Sequence, residues 1–338
     1  MNVFLNRNIG TIFMAMLISV LYAYLLSSMP HYLFKDRENY IIIYGTDFDY
    51  YLSQMTDVKM LLFNEPLFFL VNKALSIFND PEFSVKAIVF FICFSASYFC
   101  LTNFNNLFFG ILFLIILFFN TQFFALQVIA LRQGLGLALI FLVLPRIPKI
   151  KFQLLFFIGL GLIHNSFYLI FAFLGINYIL ESYLKIQNFR KRIILLFVIG
   201  IIINGSMLLI ANILGSKQAY DSFDNTSSGL MFVIWAIVFI VLYIQKHSWK
   251  GNTQNLNPYI ISIVGLILYL TSYFLSPVAG RIIGTFIPFI YLSLFKNMKE
   301  KEFILLILLT CINTYIFFNG GAESFLNADL NEFWKQLL

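Results

Sequence analysis

The chain has 338 residues, 60% of them hydrophobic and 11% charged, with a mean hydropathy of +0.86 and a formal net charge of +6. A soluble domain carries about 25% charged residues, so too little polar surface remains here to cover 42 Phe, 18 Tyr and the aliphatic side chains around them, and a water-soluble globule is excluded. The positive balance is no nucleic-acid footprint, because in so apolar a chain its distribution, rather than its size, carries the information.

Taken in order, apolar runs bounded by polar or charged breaks fall at 10–28, 84–102, 107–123, 126–145, 152–165, 166–180, 193–213, 230–245, 258–275, 280–295 and 303–318. They predict an all-α polytopic membrane protein with about eleven transmembrane helices in a single membrane domain, 1–338. The first run is too long for the apolar core of a signal peptide and lacks a small-x-small cleavage site, so it reads as a retained helix. Residues 66–79 are shorter and amphipathic, which suits a surface or re-entrant helix. Cys93, Cys100 and Cys311 all sit in apolar runs, so no disulfide framework and no Cys/His zinc cluster is suggested.

Orientation comes from the basic clusters. With the N-terminus in the cytoplasm, "RIPKIK", "FRKR" and "KNMKEK" all fall inside, and every acidic residue except Glu181, Glu300 and Glu302 falls on the other side. Lys and Arg in short loops hold their side of the membrane in the cytoplasm, so the topology is N-inside and C-outside. Reading 152–180 as one long helix would invert every later span and put "FRKR" and "KNMKEK" outside. Two segments then form extracytoplasmic loops: 30–65, which holds "KDRENY" and "GTDFDYY", and 215–229.

Four ionisable residues interrupt or border apolar sequence: Glu65, Arg132, His164 and Arg281. Arg132 lies 14 residues before Arg146, His164 lies 13 after Lys151, and Arg281 lies 15 before Lys296. At about 1.5 Å per residue each sits roughly 20–22 Å above the cytoplasmic boundary. In a hydrocarbon core about 30 Å thick, that is one layer in the outer third. Each residue has a plain structural alternative. An arginine near a helix end snorkels, a histidine beside Asn165 and Ser166 is a hydrogen-bonded interior residue, Glu65 caps the helix that Pro66 begins, and Asp47 and Asp49 are solvated. Snorkelling does not place His164 in the same layer; an outward-facing polar cavity does. Gly134 and Gly136 come just after Arg132, and Gly280 and Gly284 bracket Arg281, leaving room for helix approach or a ligand. Two guanidinium groups at one depth suit an anion, and their forks match the oxygens of a diphosphate. At the outer edge of a membrane the natural anion is a lipid-linked phosphate or diphosphate.

In this order "GTDFDYY", "EPLFF", "LRQGLGLAL", "LIHNSF" and a late arginine at "SPVAGR" resemble the EpsG-like branch of the bacterial Wzy-type O-antigen and exopolysaccharide polymerases. The resemblance spans most of 30–300 by organisation and is most specific at Arg132-Gln133 and His164-x-Ser166, with Glu65-Pro66 in support; the match at Arg281 is positional. It implies an all-helical fold distantly like other lipid-linked-sugar transferases. It also implies an inner-membrane glycosyltransferase, facing the periplasm or cell exterior, that moves a growing glycan from undecaprenyl diphosphate onto an undecaprenyl-diphosphate-linked repeat unit. Neither cofactor nor metal is called for, and no nucleic acid; a chain-length regulator and a flippase are the implied protein partners.

Such a reaction needs a base for the acceptor hydroxyl and a stabiliser for the departing diphosphate. Arg132 and Arg281, with a hydrogen bond from Gln133, are assigned to the diphosphate. His164 is the general base or a further phosphate contact, Glu65 the rival base with Asp49 behind it, and Asn165, Ser166 and Asp47 are secondary. Attack opposite the leaving group predicts inversion. Tyr40, Tyr44, Tyr50 and Tyr51 offer sugar-stacking rings or an interfacial belt. Two other classes stay open. One is a polyprenyl-phosphate-sugar transferase or glycan ligase, with which Asp47-x-Asp49 is compatible; the other is a lipid-linked oligosaccharide flippase, which would place charges along a path through the membrane.

Overall fold

The computed structural model describes residues 9–45, 62–214, 229–245, 256–275, 279–296 and 298–337. Among them the structure is all helical, with a single isolated β-bridge between Phe34 and Leu326. Helix starts are written locally. Asp80, Asn106, Asn120 and Asn257 each accept a backbone N–H two or three residues ahead, and Pro81 and Pro258 occupy the first helical position where no N–H is needed.

The chain divides into two compact units, the first comprising residues 1–55, 66–147 and 309–338 and the second 56–65 and 148–308. In the first unit α1 (Ile9–Ser28) packs along α4 (Pro81–Thr102), with α2 (Arg37–Gly45) and α3 (Pro66–Leu75) between them in sequence. The 66–79 stretch is thus helical, and a 3-10 turn at Ser76–Phe78 with Asn79 in the left-handed region ends it. Next come α5 (Leu107–Phe118), α6 (Thr121–Val128) and α7 (Leu131–Val143). The runs 107–123 and 126–145 are each interrupted. Asn120 caps α6 and donates to Asn313 Oδ1 at 3.1 Å, turning α6 by 90° from α5. A second break at Ile129 and Ala130 separates α6 from α7, so "QVIALRQGLGLALIFLVLP" is not one continuous helix.

The second unit holds α8 (Ile150–Gly161), α9 (Ser166–Ser182), α10 (Phe189–Leu214), α11 (Leu230–Ile244), α12 (Pro258–Ser272) and α13 (Ala279–Lys296). Here α12 and α13 pack together as the core, both buried almost throughout. Polar contacts tie the apolar faces: Asn204 Nδ2 donates to Thr271 Oγ1 at 3.0 Å, and Ser262 and Ser293 share a hydrogen bond at 3.1 Å. The helix α14 (Glu300–Ile316) begins in this unit and ends in the first, where the tail continues to α15 (Leu330–Leu337).

Among the described residues four helices are long and apolar enough to cross a membrane: 9–28, 81–102, 279–296 and 300–321. The bent pair α5 and α6 makes a fifth if counted as one span, while 150–161, 166–182, 230–244 and 258–272 form apolar helices of 17 residues or fewer. At about 1.5 Å per residue the 12 residues of α8 reach only ~18 Å. Broken and short helices inside an apolar chain leave backbone N–H and C=O groups open, and these are tolerated only where protein or a polar cavity satisfies them.

Candidate functional site

The sequence "GLGLIHNSF" does not continue as a helix. Ile163 and His164 donate to Leu160 O and end α8, and α9 starts at Ser166. Within that break the second unit gathers four of the singled-out residues. Glu65 adopts a left-handed backbone (φ 61°), unusual for a residue with a Cβ, and its buried carboxylate Oε1 accepts from Asn165 N at 3.4 Å. The carboxylate therefore sits at the N-terminus of α9, where the helix dipole favours negative charge. Asn165 Nδ2 donates to Phe63 O at 2.6 Å, and Tyr168 donates to Leu62 O at 3.2 Å, so the segment before Glu65 is tied to the same helix start.

Glu65 Oε1 lies 3.8 Å from His164 Nε2, with side chains 7% and 11% exposed. On the other edge of the ring, Nδ1 lies 2.8 Å from Ser166 Oγ and accepts the Ser166 backbone N–H at 3.3 Å. An N–H donor directed at Nδ1 makes that nitrogen the unprotonated one and leaves the ring proton on Nε2, facing the carboxylate. The arrangement is acid, imidazole and hydroxyl in sequence, with the imidazole lone pair on the hydroxyl side. Asn165 Oδ1, beside this group, is buried and has no hydrogen-bond partner among the described residues.

Arg281 is exposed in the first turn of α13, and its neighbour Gly280 has open space around it. In the first unit, Arg132 is half-buried and Gln133 buried in the first turn of α7. Each arginine thus stands in the first turn of a helix, the end at which the helix dipole favours an anion. Gly134 serves helix approach, the first of the two uses expected of these glycines. A Cβ there would meet Leu126 O at 2.0 Å, so the glycine lets the start of α7 touch the end of α6. Asp47, Asp49, Tyr50, Tyr51 and the side chain of Tyr44 lie outside the described residues. Tyr40 is buried, its ring edge-on to Phe68, so it packs inside the protein.

One buried group escaped the reading of residues 30–65 as a loop. Arg37, in "KDRENY", begins α2 and is fully buried. Its charged and polar neighbours in sequence resemble a solvated surface, and no local pattern marks it as interior.

No curated protein and no solved structure matches the chain. A family model does match, over residues 14–321, and that span contains most of α1 and all of α2 to α14, together with Glu65, Arg132, His164 and Arg281: the chain belongs to the EpsG family.

Proposed function

We propose that this protein is a polysaccharide polymerase of the cytoplasmic membrane, a metal-independent glycosyltransferase that joins lipid-linked repeat units. The observation that carries the reading is the group Glu65, His164 and Ser166, which supplies an oriented base at the break between α8 and α9. In this scheme Nδ1 of His164 takes the proton of the acceptor sugar's hydroxyl, directly or through Ser166 Oγ. The freed oxygen attacks the anomeric carbon of the donor, a C–O glycosidic bond forms with inversion, and the bond to the diphosphate breaks with its electron pair on phosphate. Glu65 stabilises the imidazolium and is a positioning residue rather than the base; Asp49 is the remaining rival. The unpaired Asn165 Oδ1 offers an acceptor for a second sugar hydroxyl.

Arg132 with Gln133, and Arg281, receive the negative charge of the donor's undecaprenyl diphosphate. Guanidinium forks match phosphate oxygens bidentately, and they stand where helix-terminal N–H groups add to the same field. The proposal retains an N-inside, C-outside topology with about eleven membrane passages, several of them by short or broken helices, in one membrane domain. The chemistry faces the periplasm or exterior, and a chain-length regulator and a flippase are the expected partners.

The test is reconstitution in vesicles with a lipid-diphosphate-linked repeat unit as the only substrate. A ladder of products establishes polymerisation. A single addition points to a ligase or monosaccharide transferase, and translocation without bond formation to a flippase; either outcome overturns the proposal.

A further inference from the structure

The break that creates the start of α7 has no glycine or proline in it. Ile129 and Ala130 are ordinary helix formers or apolar residues, and a straight helix through Gln127–Arg132 is what the sequence favours. The break is instead held from outside. Tyr22 donates to Gln127 Oε1 at 2.8 Å, Cys93 Sγ points at Gln127 O at 3.8 Å, and Arg37 Nε donates to Val128 O at 2.9 Å. The same guanidinium also donates to Met29 O at 3.2 Å and Leu26 O at 3.4 Å, at the end of α1.

Arg37 is fully buried, and among the described residues no carboxylate pairs with it. Its charge is met by carbonyls at two helix C-termini, those of α1 and α6. Each helix end carries about half a negative charge, so together they offset about one positive charge. The ring of Phe34 lies 3.8 Å from the guanidinium carbon and covers one face of it. Burial lowers the guanidinium to about 9, which leaves it protonated at neutral pH.

Phe34 is itself fixed by the tail. It bridges to Leu326 and meets Phe333 edge-on at 6.3 Å. Lys35 N donates to Phe325 O at 3.1 Å, and Asn327 N donates to Leu33 O at 3.0 Å. A line of contacts therefore runs from α15 through Phe34 and Arg37 to Val128 O. Four residues further on along the chain stands Arg132.

We propose that Arg37 is a positioning residue for Arg132: by holding the carbonyl of Val128 it enforces the break between α6 and α7 and so sets the direction in which the Arg132 guanidinium is presented. The functional part rests on the reading of Arg132 as a diphosphate ligand; the structural part does not. Were the break to heal into a helix, each residue gained would rotate the start of α7 by about 100° around the axis and turn Arg132 away from its present face.

Two measurements on the full-length protein separate these parts. In the first, a Cys311→Ser, Arg132→Cys protein in vesicles is alkylated by a charged maleimide, with and without Arg37→Lys. Lysine keeps the charge but cannot span three carbonyls in the guanidinium's planar geometry. The labelling rate at position 132 is expected to change at least about fivefold, as a side chain leaving its face would require; an unchanged rate overturns the positioning role. In the second, KM and kcat for a lipid-diphosphate-linked repeat unit are compared in Arg37→Lys, Arg132→Lys and the double variant. Arg37→Lys should raise KM by about tenfold with a smaller loss of kcat, and add little in the Arg132→Lys background. Additive losses overturn the proposal while leaving Arg132 as a ligand. Wild-type kinetics of Arg132→Lys overturn the diphosphate reading, whatever Arg37 does. If Arg37→Lys fails to accumulate, Phe34→Leu is put through both measurements; it removes the ring from the guanidinium and keeps the carbonyl bonds. A changed labelling rate at position 132 with a kinetic loss confined to the Arg132 wild-type background is the expected result, and an unchanged rate or additive losses the one that overturns the proposal.

Discussion

Glu65→Gln is the sharpest test of the proposed base. The amide keeps the shape of the side chain and an oxygen to accept from Asn165 N, so the start of α9 survives the change. What is lost is a negative charge 3.8 Å from His164 Nε2. At that distance the attraction to an imidazolium is about 4 kcal/mol for an effective dielectric of ~20 and about 1 kcal/mol at the water limit. With side chains this little exposed, the value lies toward the upper end. Since each ~1.4 kcal/mol is tenfold in rate, Glu65→Gln should lower kcat between about tenfold and a thousandfold. His164→Ala, which removes the base, should cost at least as much, and the double variant should be no worse than His164→Ala, because the carboxylate acts only through the ring. The assay is glycan chain extension in vesicles from a lipid-diphosphate-linked repeat unit, with protein content matched by blotting. A Glu65→Gln protein slower than His164→Ala would make Glu65 the base. Near-wild-type turnover in both would remove the pair from the mechanism.

Other expectations concern the scaffold and the second charged group. Arg132→Lys should insert normally and lose chain extension by about tenfold or more, since a point charge cannot reproduce a bidentate fork; gel analysis of polymer length reads the effect. Gly134→Ala places a Cβ against the Leu126 carbonyl, a backbone atom that cannot swing aside, and should lower thermal stability in detergent by about 1–3 kcal/mol. In the second unit Glu181 pairs with Arg192, and both are mostly buried. Glu181→Gln alone strands the guanidinium and should destabilise by about 1–3 kcal/mol, more than the double change Glu181→Leu with Arg192→Met. His31 Nε2 lies 3.1 Å from Glu82, but burial outweighs that partner and holds the imidazole below its ordinary 6.5. A depressed imidazole favours the native state while neutral, so stability should be complete above that value and fall as the pH drops through the lowered one. Melting from about pH 7.5 to about pH 5 should show this slope, and His31→Gln should flatten it.

Much of the helical layout was legible because it is encoded locally. Apolar runs set the helices, and the caps Asp80, Asn106, Asn120 and Asn257 mark where they start. The closeness of Glu65 and His164 was half visible: their ionisable side chains in or beside apolar sequence and the order of the motifs singled out both residues, but made them rivals for one role. They stand 3.8 Å apart, a contact between residues 99 apart that no local pattern reveals, and in the proposed reaction this makes one the base and the other its positioning partner. Arg37 was invisible for the opposite reason. A charge in "KDRENY" is read as solvated, since the cost of burying it is offset by partners at the ends of two helices that no local pattern names.

These cases share a physical form. The interruptions at Ile129 and Ala130 and at Leu162 to Asn165 lie in apolar sequence without proline, and each is held by a polar group from a distant segment: Arg37 at one, Glu65 at the other. An interrupted helix in an apolar setting exposes N–H groups that must find partners, and it gains a local positive field from them. Arg132 stands just after the first interruption and His164 within the second; in the proposed reaction Arg132 meets the donor's diphosphate and His164 the acceptor's hydroxyl. At the break between α6 and α7 the costs of the interruption and of the Arg132 charge fall together, and a negatively charged ligand would offset both; at the break between α8 and α9 the Glu65 carboxylate already takes that position. A straightened helix would lose the N–H groups and the reason for the charge together. That is why a substitution at Arg37, which need not touch a lipid diphosphate, is the one most able to separate a built anion site at Arg132 from an arginine that merely snorkels.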